Sequence, residues 1–160
     1  MDIKVGIITV SDRASQGLYD DLGGPALKTA AEGYGWKVIA DCLVADEVRE
    51  IQRAVLEQIR QGAHLILTTG GTGVATRDVT PEAIREIAVR ELPGFGEVMR
   101  AESMKITPYA ILSRSLAAVV EKGLVLCLPG KPSGAVECLG FVVKAIPHCI
   151  EVIQDVPTSC

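Results

Sequence analysis

Leu65-Ile66-Leu67-Thr68-Thr69-Gly70-Gly71-Thr72-Gly73 begins as a short strand, wholly apolar at its centre, and runs directly into glycines. An uncharged run of this kind suits a strand buried on both faces, as in a parallel sheet. The glycines let the chain turn sharply and leave backbone N–H groups open to an anion such as phosphate. A plain strand-to-helix turn accounts for the same glycines. The spacing matches neither Gly-x-Gly-x-x-Gly nor Gly-x-x-x-x-Gly-Lys-Ser/Thr. A Rossmann dehydrogenase and a P-loop NTPase are therefore not supported.

On the N-terminal side, Ile3 to Val10 is a β-branched apolar run and Lys37 to Val44 reads as another strand. Between them a polar, glycine-bearing stretch from Ser11 to Gly24 leads into a helix, with Pro25 in its first turn and its end near Glu32. Val48 to Gln61 is an amphipathic helix. Its Val48, Ile51, Val55 and Ile59 share one stripe, and Glu50, Arg53, Glu57 and Arg60 lie away from it.

On the C-terminal side, Thr80 is placed to cap a helix with Pro81 at its first position. Ala83, Ile84 and Ile87 would form its inner face. Pro93 and Gly94 break it, and the next helix is expected from about Phe95 to Lys105. Pro108 begins a short helical stretch. Leu116 to Val120 and Leu124 to Leu128 read as strands of a hairpin around Glu121-Lys122-Gly123. Ser133 opens a last apolar helix, which Pro147 should kink or restart.

The β-α-β-α-β rhythm predicts an α/β fold with a mostly parallel sheet and right-handed crossovers. The hairpin adds an antiparallel pair, so the expected sheet is mixed. The chain has 160 residues, which predicts one domain over residues 1–155 and a short tail at 156–160. Aromatic residues make up only 4% of the chain, so the core must be built from Val, Ile, Leu and Ala.

The net charge of -4 argues against a nucleic-acid binder, which usually needs a basic face. It leaves room for an anionic small ligand held by backbone N–H groups and a few local cations. No apolar run is long enough to cross a bilayer, and the first strand starts at once, so neither a membrane span nor a signal peptide is expected. Cys42, Cys127, Cys138, Cys149 and Cys160 are odd in number and form no Cys-x-x-Cys pair. The first four read as small buried apolar residues and Cys160 as a loose tail thiol. Their spacing, with only two histidines, does not suit a zinc site. The cytoplasm is the expected compartment.

In open α/β sheets, ligands bind beyond the carboxyl ends of the parallel strands. Here those ends read Thr9-Val10-Ser11-Asp12, Val44-Ala45-Asp46, Thr68 to Gly73, and Leu128-Pro129-Gly130-Lys131-Pro132-Ser133. All turn small, polar or acidic, which suits a pocket. Asp46 and Asp78 are carboxylates near a possible phosphate loop. Each has an ordinary structural role open to it at a helix start. Converging with Asp12 at one rim, they would suggest metal-assisted phosphoryl or nucleotidyl transfer, with Mg²⁺ as the usual counter-ion. Lys131 could hold an anion beside Pro129-Gly130, or the segment could be a simple strand–helix turn. Ser113-Arg114-Ser115 supplies two hydroxyls and a guanidinium, or merely a solvated polar segment. His64 and His148 read as structural and form no Ser–His or Cys–His pair.

Several of these motifs together resemble the molybdenum-cofactor biosynthesis proteins of the MogA and MoaB type. They are Val10-Ser11-Asp12, Asp46-Glu47, Thr69 to Gly73, Arg77-Asp78-Val79-Thr80-Pro81-Glu82-Ala83, Pro93 to Glu97, Ile111 to Ser115, and Leu128 to Ser133. The pattern is also similar to the G domains of gephyrin and of the plant enzyme Cnx1. The resemblance implies a three-layer α/β/α fold, a homotrimer, and a nucleotidyltransferase that moves AMP from Mg-ATP to the phosphate of molybdopterin, releasing pyrophosphate. It implies Asp46 and Asp78 as the catalytic acids and Mg²⁺ anchors. It implies Gly70, Gly71, Thr72, Gly73, Pro129, Gly130 and Lys131 as nucleotide and phosphate contacts. Ser11, Asp12, Thr80, Ser113, Arg114 and Ser115 would hold the molybdopterin. A molybdate-inserting enzyme is the implied downstream partner. A MoaB-type homologue or a trimeric scaffold without transferase activity is the alternative within the same family.

Overall fold

The computed structural model describes residues 1–159 of the chain, so the expectation for Cys160 lies outside the described residues. Six strands form one mixed sheet: β1 (Lys4–Val10), β2 (Lys37–Val44), β3 (Leu65–Thr69), β4 (Arg90–Glu91), β5 (Leu116–Val120) and β6 (Gly123–Leu128). Their order across the sheet is β2-β1-β3-β6-β5-β4. β2, β1, β3 and β6 run parallel, and β5 and β4 are antiparallel additions at one side. The expected hairpin is the β5–β6 pair, turned at Glu121, whose φ is +49°.

Side chains alternate across a strand, and here that alternation divides the core in two. Val5 and Ile7, Leu65 and Leu67, and Leu124, Leu126 and Leu128 face one layer of helices. These helices are α2 (Gly23–Gly33), α5 (Pro93–Met104), α6 (Pro132–Val142) and α7 (Ile146–Ile153). Ile8, Ile66, Val125 and Cys127 face the other layer, made by α3 (Val48–Arg60) and α4 (Thr80–Ile87). The result is the three-layer α/β/α arrangement. Leu67 and Leu126 are completely enclosed. Burial of each such side chain contributes about 1.5–3 kcal/mol relative to exposure.

The predicted strands and long helices are present, and the local differences have physical causes. The polar stretch after β1 contains a one-turn helix, α1 (Asp12–Ser15), capped by the Ser11 hydroxyl, which accepts from the Ala14 N–H. α5 starts at Pro93 rather than Phe95, because a proline's missing N–H costs nothing in the first turn. β4 is two exposed residues paired with β5, too short and polar to leave a periodic signal. α6 starts at Pro132 instead of Ser133, and the chain restarts as α7 with Pro147 in its first turn.

Thr80 requires a correction. It is the first residue of α4 and not its cap, and Val79 precedes it without a side-chain capping bond. The Thr80 side chain is buried, and its hydroxyl donates to the Gly70 carbonyl at 2.9 Å. The hydroxyl proton is thus committed to the loop after β3, and no helix N–H donates to its oxygen among the described residues.

Cys127 and Cys138 are buried and Cys42 and Cys149 half-buried, and all four are free thiols. Burial raises the Cys127 thiol to about 12, which suits an inert core residue. No helix is long and apolar enough to cross a membrane among the described residues.

Candidate functional site

The carboxyl ends of the four parallel strands surround a cleft of about 280 Å³. Among the residues picked out from sequence, Ser11, Asp46, Gly70, Gly71, Asp78 and Gly130 line it. The loop after β3 forms its centre. Gly70 and Gly71 have φ values of +104° and +69°, a region that side chains other than glycine rarely adopt. A Cβ on Gly70 would overlap the Val10 carbonyl oxygen. One on Gly71 would overlap the Thr80 hydroxyl and stand 3.1 Å from Asp46 Oδ1. The turn therefore lies flush against the end of β1 and against one of the acids. On the other side, the Gly70 N–H donates to the Leu128 carbonyl at 3.2 Å, and the Thr69 hydroxyl donates to the Pro129 carbonyl at 2.7 Å. These bonds bring the Pro129-Gly130 turn beside the glycines.

Asp46 does not cap α3. Its Oδ2 accepts the Asp12 N–H at 2.8 Å, and Asp12 Oδ1 accepts the Asp46 N–H at 3.0 Å. This reciprocal clamp joins the ends of β1 and β2. Arg77 closes it from outside by pairing with Asp12 at 2.9 Å and Glu47 at 2.8 Å. The consequences for charge are opposite. The Arg77 guanidinium holds the Asp12 carboxyl below the usual range. Burial pushes Asp46 up, and the neighbouring charges of Asp12 and Asp78 add to the rise.

Asp78 approaches the same loop from the next turn. Its Oδ2 accepts the Ala75 N–H at 2.9 Å and lies 2.8 Å from where a Cβ on Gly73 would be. Asp46 and Asp78 thus flank one glycine loop and line one cleft. The N–H groups of Gly71, Thr72 and Gly73 have no protein acceptor among the described residues. Unpaired N–H groups beside carboxylates can take phosphate oxygens once a cation balances the charge.

The remaining expected residues lie around the cleft rather than on its lining. Asp12 is in the clamp, Thr80 holds Gly70 from beneath, and Lys131 precedes the first turn of α6. Thr72 and Pro129 adjoin lining residues along the chain, and Gly73 packs against the Asp78 carboxylate. The Arg114 N–H donates to the Thr72 carbonyl at 2.9 Å. Its guanidinium donates to the Gly73 carbonyl at 2.7 Å, to the Asp78 carbonyl at 2.6 Å, and to Glu82. The Ser113 hydroxyl donates to the buried Ser115 hydroxyl at 3.1 Å. His64 accepts from the Lys4 N–H at the opposite end of β1, and His148 stands on α7 near Glu151.

Sequence reasoning missed Tyr19, Asp21, Leu22 and Gly23, which also line the cleft. Asp21 left a usable signal, an acid just before a helix. Its carboxylate accepts from the Gly24 N–H at 3.0 Å and from the Thr9 hydroxyl at 2.9 Å. Tyr19 left none, being one residue of an irregular loop.

Residues 6–148 match the family described as "Probable molybdopterin binding domain". The chain belongs to that family. A molybdopterin adenylyltransferase of Helicobacter pylori is 43% identical to it, over 94% of this chain and 88% of that one. The crystal structure of the molybdopterin biosynthesis enzyme MoaB from Thermus thermophilus superposes with a TM-score of 0.89 at 43% identity, covering 97% of this chain and 98% of that one. A MogA structure superposes with a TM-score of 0.88 at 31% identity, covering 94% and 99%. The α/β/α layers and mixed sheet of this molybdopterin-binding domain are those of the MogA and MoaB structures.

Proposed function

We propose that this chain is a molybdopterin adenylyltransferase, transferring AMP from ATP to the terminal phosphate of molybdopterin with release of diphosphate. One observation carries the reading: Asp46 and Asp78 line a single cleft on either side of a glycine loop with three unpaired N–H groups. The name carried by the Helicobacter pylori relative supports it.

In the transfer, a phosphate oxygen of molybdopterin forms a bond to the α-phosphorus of ATP. The bond from that phosphorus to the bridging oxygen breaks, and diphosphate leaves with the electron pair. The nucleophile is already ionised near neutral pH, so no general base is needed. This agrees with the placement of His64 and His148 away from the cleft. The problem for the protein is anion–anion repulsion and alignment. The Gly71, Thr72 and Gly73 N–H groups would bind phosphate oxygens, and Lys131 would add positive charge from the start of α6. Asp12 and Arg77 would keep Asp46 in position.

Mg²⁺ fits the donor set. No cluster of three or more potential metal ligands occurs among the described residues. Mg²⁺ is typically held by one or two carboxylates with substrate phosphates and water completing its shell. Asp46 and Asp78 would supply those carboxylates, and the ion would neutralise the triphosphate.

The same reading places the reaction in the cytoplasm, in keeping with the four free cysteines. It has copies of the chain assemble as a homotrimer. An apolar groove of about 530 Å³ between α5 and the end of α6, bordered by Leu92, Phe95, Val98 and Phe141, supports association. The adenylylated product would pass to a molybdate-inserting enzyme.

The test is incubation with molybdopterin, ATP and Mg²⁺, followed by measurement of diphosphate and adenylylated molybdopterin. The wild type should release both products. Asp78→Asn should lower the rate by about 100-fold or more while keeping its circular dichroism and melting temperature. Full turnover by folded Asp78→Asn would remove Asp78 from the mechanism. The family description names molybdopterin binding alone, and the second reading is a molybdopterin-binding protein without transfer. Molybdopterin binding by wild type with no diphosphate released would establish that reading instead.

A further inference from the structure

The cleft is made of backbone, small side chains and carboxylates, with one aromatic ring on its lining, that of Tyr19. Loop residues on both sides of this tyrosine are fixed. Before it, Gly17 takes φ +71°, and the Gly17 and Leu18 N–H groups donate to the Ala14 and Arg13 carbonyls at 3.0 and 2.9 Å. After it, Asp21 bonds the Thr9 hydroxyl and the Gly24 N–H. The loop therefore holds its place at the cleft through backbone and Asp21 contacts. The Tyr19 side chain takes no part in this anchoring.

Tyr19 is 55% exposed, and neither its ring nor its hydroxyl has a hydrogen-bond or aromatic partner among the described residues. Leu22 also lines the cleft, 62% exposed. Their place on the cleft lining makes these two apolar surfaces available to a flat ligand group, and an aromatic face is suited to one. The glycine loop and carboxylates of the cleft can hold phosphate and a cation, and Tyr19 supplies the one aromatic face among the lining residues.

We propose that Tyr19, backed by Leu22, is the stacking platform for a flat fused-ring heterocycle of one of the two substrates. This rests on the transferase reading, under which the adenine of ATP and the pterin of molybdopterin both have that chemistry. Stacking on an aromatic ring depends on a π-face rather than on charge. It therefore adds affinity where three nearby carboxylates, Asp21, Asp46 and Asp78, oppose an anionic ligand.

The experiment compares wild type, Tyr19→Ala and Tyr19→Phe in steady-state transfer, with KM determined separately for ATP and molybdopterin. Calorimetric titrations with AMP, molybdopterin and inorganic diphosphate, all with Mg²⁺, run in parallel. Tyr19→Ala should raise one KM roughly ten-fold, the loss of a single stack, with kcat retained. Tyr19→Phe should restore the lower KM. A rise for ATP with weaker AMP binding assigns the stack to adenine, and a rise for molybdopterin assigns it to the pterin. Diphosphate has no ring, so its affinity should be the same in all three proteins. Unchanged KM values for both substrates, or an equal loss of diphosphate binding, would overturn the proposal. If wild type transfers no AMP, the transferase reading falls, and the AMP and molybdopterin titrations still decide the stack.

Discussion

The loop after β3 and the segment before β5 lie against each other, joined by Arg114, yet their polar groups are in opposite states. In the loop, three consecutive N–H groups at Gly71, Thr72 and Gly73 face no protein acceptor among the described residues. In the segment, Arg114 is committed to three backbone carbonyls or carboxylates through its guanidinium, and Ser113 to Ser115. A donor already serving a buried carbonyl can turn to a ligand only by leaving that carbonyl unpaired. The loop is thus equipped to bind, and the segment is a brace that keeps it in shape. Polar residue type alone does not separate the two roles; unspent hydrogen-bonding capacity does.

Three experiments bear on this contrast. The largest effect is expected for Gly70→Ala. Its left-handed backbone alone makes a side chain cost about 1–3 kcal/mol. The overlap with the Val10 carbonyl, a backbone atom that cannot swing aside, adds to that. Urea unfolding should show the loss, and AMP transfer should fall with it. A variant of wild-type stability would mean that the turn does not depend on its close fit to β1.

Arg114→Ala comes next. It removes three charge-assisted bonds from a side chain that is 31% exposed, and a loss of about 2–3 kcal/mol is expected. The melting temperature should drop, and the KM values for both substrates should rise together, because the loop serves both. Should stability hold while only the molybdopterin KM rises, the segment would be a ligand contact and the contrast would dissolve.

The smallest effect concerns protonation. Asp46 has its pKa raised by burial and by Asp12 and Asp78, and Asp12 has its pKa lowered by Arg77. The signs follow separately. Ionised Asp46 is a cost to the fold, relieved as pH falls through its raised pKa. Asp12 contributes stability above the ordinary carboxylate pKa, and that contribution is lost as pH falls through its depressed value. Carboxyl NMR titration without Mg²⁺ should therefore find Asp46 protonating at higher pH than Asp12. The reverse order would show that the Arg77–Asp12 pair does not persist in solution.

Much of the fold was readable along the chain because its strands are strongly patterned. The runs at Ile3 to Val10 and Leu65 to Thr69 are too apolar to be exposed, and the α3 stripe has one inward face. β4 was not readable, since two exposed polar residues pair only because Val119 and Ala118 are already in place. Asp46, Asp78 and the glycine loop could be named as candidates from residue type and position after strands. Tyr19 could not, because nothing local sets an exposed loop tyrosine apart from any other.

Order along the chain therefore determined the α/β class, the parallel core, the glycine turn and the family, since periodicity and motif spacing are local properties. The tertiary structure decided which polar groups remain available. It placed the end of β2 against that of β1 so that Asp12 and Asp46 clamp each other, turned Thr80 inward to Gly70, and occupied Arg114 with carbonyls of the loop. The physical reason is that hydrogen bonds between distant segments are settled only when the sheet brings those segments together. A residue's chemistry is written in its side chain, but whether that chemistry is already used depends on its neighbours in space.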